Sequence, residues 1–334
     1  MSPKITVFLI TCREDYSILG LKNLHIFTPL IESLNNQTFK DFELIIIDSL
    51  HKWRNTSPIN EAKFKVTHIP PKPSPWLNIG HFHSSNSVNT AILHAKGKIL
   101  VGMCDCMEFD SNYLDKIWKH FMNGYIALPT FTYLYEYGQV YYHEELIDEL
   151  IKKGSFSKEE IANMKHGWSV YELGDPVRDT RYNQTSETTK IVNHEWYYGI
   201  SVLPLKDALE VNGNDENFDG SHGTLDVDVG SRLEMKGCYP FLYDKTIITR
   251  EHLHEGLSPR IIKDYRSNWK TNLALYQLNR EHKRIKANTH KLTQTEIDHI
   301  ADQTDPECYD EELFKYWMEN QLTFNLEKMR EVIK

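Results

Sequence analysis

Three short apolar runs constrain this chain most: "KITVFLI" (4–10), "FELIIID" (42–48) and "KILVGM" (98–103). A strand with one wet face alternates polar and apolar residues. These runs do not alternate, so they read as strands covered on both faces, the hallmark of a mostly parallel sheet flanked by helices. "KVTHI" (65–69) reads as one more strand. Residues 16–36 carry apolar residues at helical spacing. "SSNSVNTAILHAKG" (84–97) reads as a helix with Ser or Asn as N-cap and Gly97 as terminator. The order strand, helix, strand, strand, helix, strand predicts an α/β fold. Such sheets bind ligands at the carboxyl ends of their strands. The polar residues expected there are Thr11, Arg13, Asp48 and the Cys104-Asp105-Cys106 stretch.

Beyond Leu114 the pattern changes. Residues 130–195 form a Tyr-rich segment with loop signals and one expected helix at 157–165, marked by Ser157 and Glu160 as a capping box. "NGNDENFDGSHG" (212–223) reads as a long loop, and loops of this length in compact domains are often functional. A helix is expected at 224–237, a strand at 239–249, and helices at 259–286, 293–303 and 310–333.

With 334 residues, 40% hydrophobic and 25% charged, the chain is long enough for a sizeable core. No apolar run reaches the length of a membrane span. The N-terminal apolar run is short and reads as a first strand rather than a signal peptide. Five scattered cysteines point to a reducing, cytoplasmic setting rather than a disulfide framework. The net charge of −9 disfavours nucleic acid overall. Residues 260–291, however, hold nine Lys/Arg against two acids. Such a run is a solvated helix face, or a contact for a membrane surface, a nucleic acid or an anionic acceptor.

Four segments together resemble GT-A glycosyltransferases, family 2 in particular. They are "ITVFLITCRED" at the first strand, "LIESLNNQTFKDFELIIIDS" (30–49), "SVNTAILHAKGKILVGMCDCMEFDSNYL" (87–114) and "YYGISVLPLKDALEVNGNDENFDGSHGTLDVDVGSRLEMKG" (197–237). The resemblance implies a GT-A domain over residues 1–256, with 130–195 as an insert and 257–334 as a C-terminal helical region. It implies transfer of a sugar, hexosyltransferase-like, from a nucleotide-sugar such as a UDP-sugar to a glycan, lipid-linked or other hydroxyl acceptor.

Each requirement of that reaction maps to residues. The resemblance assigns nucleotide binding to Thr11, Arg13, Asp48, Asn89 and Asp105. It places a divalent Mn²⁺ or Mg²⁺ at an Asp-x-Asp after the "KILVGM" strand, where the ion stabilises the leaving diphosphate. Here that motif is incomplete. One alignment puts Cys104 and Cys106 at the acidic positions with Asp105 between them; a one-residue shift makes Asp105 the first acid, with Glu108 just beyond the second position. Asp105 as a single-acid metal or ribose contact, a metal-independent enzyme, and a thiolate site for a softer metal all remain open. His252 and His254 match a family metal-ligand position.

The acceptor hydroxyl needs a base, and the resemblance places Asp226 in that role in an inverting reaction, with Leu225 where the family has Glu. Asp228 lies about 200° round the helix, so only one of the two acids faces a given site. Trp196, Asp219 and His222 are candidate acceptor contacts. The family's Gln-x-x-Arg-Trp motif of processive members is missing, which favours addition of a single sugar. The alternatives are a non-catalytic nucleotide-sugar or carbohydrate-binding protein on the same fold, and an enzyme acting on nucleic acid.

Overall fold

The computed structural model describes residues 2–15, 25–133, 179–199, 201–251, 258, 260–262, 269–306 and 309–333. The expected helix at 157–165 and the candidate ligands His252 and His254 lie outside these residues.

The three apolar runs form β1 (Ile5–Thr11), β2 (Phe42–Asp48) and β4 (Ile99–Met103), and β3 is Lys65–Ile69. With β8 (Val202–Pro204) they make a sheet in the order β3-β2-β1-β4-β8. The first four strands are mutually parallel, and β8 is antiparallel to β4. Every residue of β2 is buried, as a central strand covered on both faces requires. Edge strand β3 is only half-buried. A second sheet has the order β5-β9-β6, with β5 (Met107–Phe109), β6 (Ile126–Tyr133) and β9 (Phe241–Glu251); β7 (Thr189–Val192) also pairs with β9. The fold is thus α/β, a mostly parallel sheet flanked by helices, with further helices towards the C-terminus. The stretch from 179 to 195, expected within an insert, contributes β7 to this second sheet.

Helices α1 (Thr28–Asn35), α2 (Pro75–Ile79), α3 (Ser84–His94) and α4 (Tyr113–Met122) lie between the strands. Helix α5 (Leu205–Glu210) follows β8, and α6 (Leu225–Lys236) precedes β9. The C-terminal helices are α7 (Trp269–Glu281), α8 (Gln294–Gln303), α9 (Glu311–Glu319) and α10 (Leu326–Ile333). The capping box expected at Thr293 and Glu296 is present. The single helix expected at 310–333 is two, because the chain between them bonds to a loop: Phe324 N donates to Asn288 O and Leu326 N to Asn212 Oδ1.

Helix α3 differs from expectation at both ends. No local side chain caps its start; its N-cap is His83, and the carboxylate of Asp219 accepts from Ser85 N (2.7 Å) and Asn86 N (2.9 Å) instead. The helix ends at His94, before Gly97. Arg330 of α10 donates to the carbonyls of Ile92, Leu93 and Ala95. An acid at the N-terminus and a guanidinium at the C-terminus both complement the helix dipole. Gly97 serves close packing: a Cβ there would stand 2.3 Å from Thr6 N.

Helix α7 packs on α6 and α8, and α10 packs on α3. A second apolar core of Trp76, Phe218, Leu225, Leu275, Phe314 and Trp317 joins them to the 212–223 loop. No helix among the described residues is long and apolar enough to cross a membrane.

Candidate active site

A cavity of about 710 Å³ opens at the carboxyl ends of β1 and β4, where the strand order predicts a ligand. Thr11, Arg13 and Asp105 line one wall, and Asp226 and His222 line another. The register of β1 and β4 brings the first group together, since Leu9 pairs with Met103. Asp105 is buried; Thr11 Oγ1 donates to its Oδ2 at 2.5 Å and Arg13 Nε to its Oδ1 at 2.9 Å. Beside it, Cys106 holds φ +57°, a left-handed conformation uncommon for a residue with a side chain.

Asp226 sits in the first turn of α6, half-buried, and its Oδ2 accepts from Gly199 N at 3.1 Å. Burial raises its pKa to about 6, with the Gly199 N–H pulling the other way. The helix geometry separates it from Asp228. That residue is buried away from the cavity, where Arg232 and Asn279 bond its carboxylate. The turn presenting Asp226 is strained: Thr224, a β-branched residue, has φ +57° after Gly223 at +103°. Left-handed backbone at non-glycine residues costs energy and clusters at functional sites. Both candidate acids of this cavity have such a position within two residues.

Four expected site residues lie elsewhere, each for a stated reason. Asp48 is fully buried and does not line the cavity. Arg54 grips both its oxygens (Nε 2.7 Å, Nη2 2.8 Å), and Leu50 N and His68 Nε2 take the rest of its capacity. Asn89 is buried against the 212–219 loop, exchanging bonds with Asn214 and donating to Glu216. Asp219 caps α3 from inside the protein; burial and the charge of Glu216 raise its pKa well above the carboxylate range. Trp196 packs edge-on against Tyr243, with ring centroids 5.3 Å apart.

The divalent ion implied by the resemblance does not fit the described residues. Both Asp105 oxygens are engaged by Thr11 and by the Arg13 guanidinium, whose charge stands where a cation's would. Cys106 is buried in the main core and Cys104 is exposed on the cavity wall, so the two thiols do not face one point. Among the described residues no group of three His, Cys, Asp or Glu side chains is placed to hold a metal.

Residues not singled out from the sequence complete the wall. His83 Nδ1–H donates to His81 O (2.9 Å), which leaves Nε2 to accept from Ser49 Oγ (3.0 Å), and burial lowers its pKa. Tyr197 also faces in, its hydroxyl bonded to Val202 O. The His-x-His of "HFHSS" was the available signal for His83. The basic 260–291 segment is less free than its composition suggests. Arg260 pairs with Glu14, Lys270 with Asp305 and Arg284 with Glu296, while Arg280 bonds Tyr276 and His194.

No protein-family model matches the chain, and no curated protein matches it. Among solved structures, S. aureus TarS is similar at 12% identity and a TM-score of 0.48, over 90% of this chain and 42% of that one. This chain therefore spans less than half of that protein. TarS 1-349 in complex with UDP aligns at 12% identity and 0.45, over 90% of this chain and 70% of that one. Mannosyltransferase PcManGT from Pyrobaculum calidifontis, in complex with GDP-Man and Mn²⁺, aligns at 13% and 0.41, over 96% and 73%. Likeness at this level identifies no family.

Proposed function

We propose that this chain is a GT-A glycosyltransferase that moves a single sugar from a nucleoside-diphosphate sugar to an acceptor hydroxyl, with inversion. One observation carries the reading: Asp226 and the Thr11–Arg13–Asp105 cluster face the same cavity at the strand ends. The acceptor O–H donates to the Asp226 carboxylate, which takes the proton as the oxygen bonds to the anomeric carbon. The bond from that carbon to the diphosphate oxygen breaks, and its electron pair leaves on the nucleoside diphosphate. Arg13 supplies positive charge beside the departing group and is held there by Asp105. The acceptor approaches past His222, whose ring lies against Phe82 at 5.7 Å.

The test is thermal unfolding with UDP-GlcNAc and GDP-Man, in EDTA and in Mn²⁺. A ligand that binds only the folded state raises the melting temperature by mass action. The expected result is a rise with at least one donor that persists in EDTA, because a guanidinium occupies Asp105. A rise that requires Mn²⁺ overturns that role for Arg13. No rise with any donor overturns the transferase reading.

A further inference from the structure

Asp226 does not hold its position unaided. Its carboxylate accepts from the backbone N–H of Gly199, on the 193–199 segment that passes over the start of α6. That segment is fixed from below by Arg181, which is fully buried. Arg181 Nη1 donates to Trp196 O (2.6 Å) and Tyr198 O (3.2 Å), and Nη2 to Pro129 O (2.9 Å). Its remaining donors meet Asp179 in a forked pair, Nε to Oδ1 and Nη2 to Oδ2, both at 2.8 Å. The guanidinium lies 4.5 Å from the Tyr198 ring centre and 5.0 Å from that of Tyr243. A planar group that bonds two carbonyls on one segment sets that segment's height and tilt as a lysine cannot. Gly199 follows Tyr198 directly, so the direction of its N–H is set by the peptide that Arg181 grips.

We propose that the buried Arg181–Asp179 pair is a positioning device for the proposed base: it aims the Gly199 N–H at Asp226 and lends the carboxylate a positive field. This rests on the transferase reading above. Neither Asp179 nor Arg181 lines the cavity; the pair acts through the Trp196–Gly199 backbone. Arg181 and the Gly199 N–H both favour the charged form of Asp226 against its burial. The other titratable groups near Asp226 among the described residues are Tyr197 on the same segment and His222, His83, Cys12, Arg13, Cys104 and Asp105 around the cavity. Asp228 turns away onto Arg232.

The experiment is the pH profile of sugar transfer for the wild type, Arg181→Lys and Gly199→Ala. Gly199→Ala leaves the buried pair intact, and its Cβ would meet the Phe131 ring at 3.0 Å with φ at +69°, which displaces the N–H directly. It keeps the test usable if a buried-pair variant fails to fold. The expected result is that the acidic limb moves to higher pH in folded Arg181→Lys and in Gly199→Ala. Turnover at pH 6 then falls roughly three- to tenfold more than at pH 8, because one pKa unit is a tenfold change in the ionised fraction. Donor affinity stays at the wild-type value. Tyr198→Phe, which removes the hydroxyl's bonds to Thr180 and to the Arg181 backbone but leaves the Tyr198 carbonyl and the guanidinium in place, leaves the limb in place. Lower turnover with an unmoved limb in Gly199→Ala and Arg181→Lys overturns the inference and leaves the transferase reading standing. A wild type that transfers no sugar at any pH overturns both.

Discussion

Replacing Asp226 with Asn removes sugar transfer, by roughly a hundredfold to ten-thousandfold, the usual contribution of a positioned acid or base. Donor binding survives, because the cavity wall of Thr11, Arg13 and Asp105, to which the proposal assigns the donor, is untouched. The size of the effect follows from what the carboxylate does: an amide fills the same space but takes no proton. The wild-type enzyme should lose activity as pH falls through about 6, where burial has placed this group. Below that pH the proton already sits on the base.

The same variant should be more stable than the wild type at neutral pH. The folded protein holds the Asp226 proton up to about 6, while the unfolded chain releases it in the ordinary carboxylate range. Folding therefore takes up a proton between those values, and stability declines as pH rises through the window. Asn carries no such cost. Urea melts at pH 7.5 alongside a transfer assay check both halves. A loss of activity with a loss of stability would mark Asp226 as structural.

The second large effect concerns Asp48. Arg54→Ala should destabilise the protein by about 3–5 kcal/mol, the range for breaking a buried ion pair from one side. Both side chains are fully buried, and the guanidinium also bonds Asp15 Oδ1 (2.8 Å) and Arg13 O (2.8 Å). Burial alone would raise the Asp48 pKa, but the bonds from Arg54 and His68 outweigh it and hold the group below its usual range. Its contribution to stability is thus present above the ordinary carboxylate range and is lost as pH falls through the lowered value. Urea midpoints at pH 7 check the magnitude. A change below about 1 kcal/mol, typical of exposed pairs, would contradict the network. Because Arg54 also holds the Arg13 carbonyl, the variant should weaken donor binding as well.

The sheet was legible because burial leaves a mark on composition: a strand covered on both faces cannot afford alternation, and β1, β2 and β4 show none. That Asp226 and Asp228 face different ways was legible from helical spacing. The long-range partners were not. Asp219 caps a helix by accepting from Ser85 N, 134 residues earlier in the chain, and Arg330 closes the same helix from 235 to 238 residues away. Nothing local to either residue announces that role, so the sequence reading made Asp219 a candidate acceptor contact. Asp48 ends its strand as the resemblance expected, yet Arg54, six residues on, turns it from a cavity group into a buried anchor. Arg181 lay in a Tyr-rich stretch whose pattern gave no fold signal, and only the placement of β7 and the 193–199 segment shows what it holds.

The most direct test of the central claim is proton NMR of the turnover products of a nucleotide sugar, with the anomeric configuration of the first-formed product read before it equilibrates. A single base at Asp226 and direct displacement predict a product whose anomeric configuration is inverted relative to the donor, formed by the wild type and not by Asp226→Asn. A retained configuration, or equal turnover by the variant, would contradict the account.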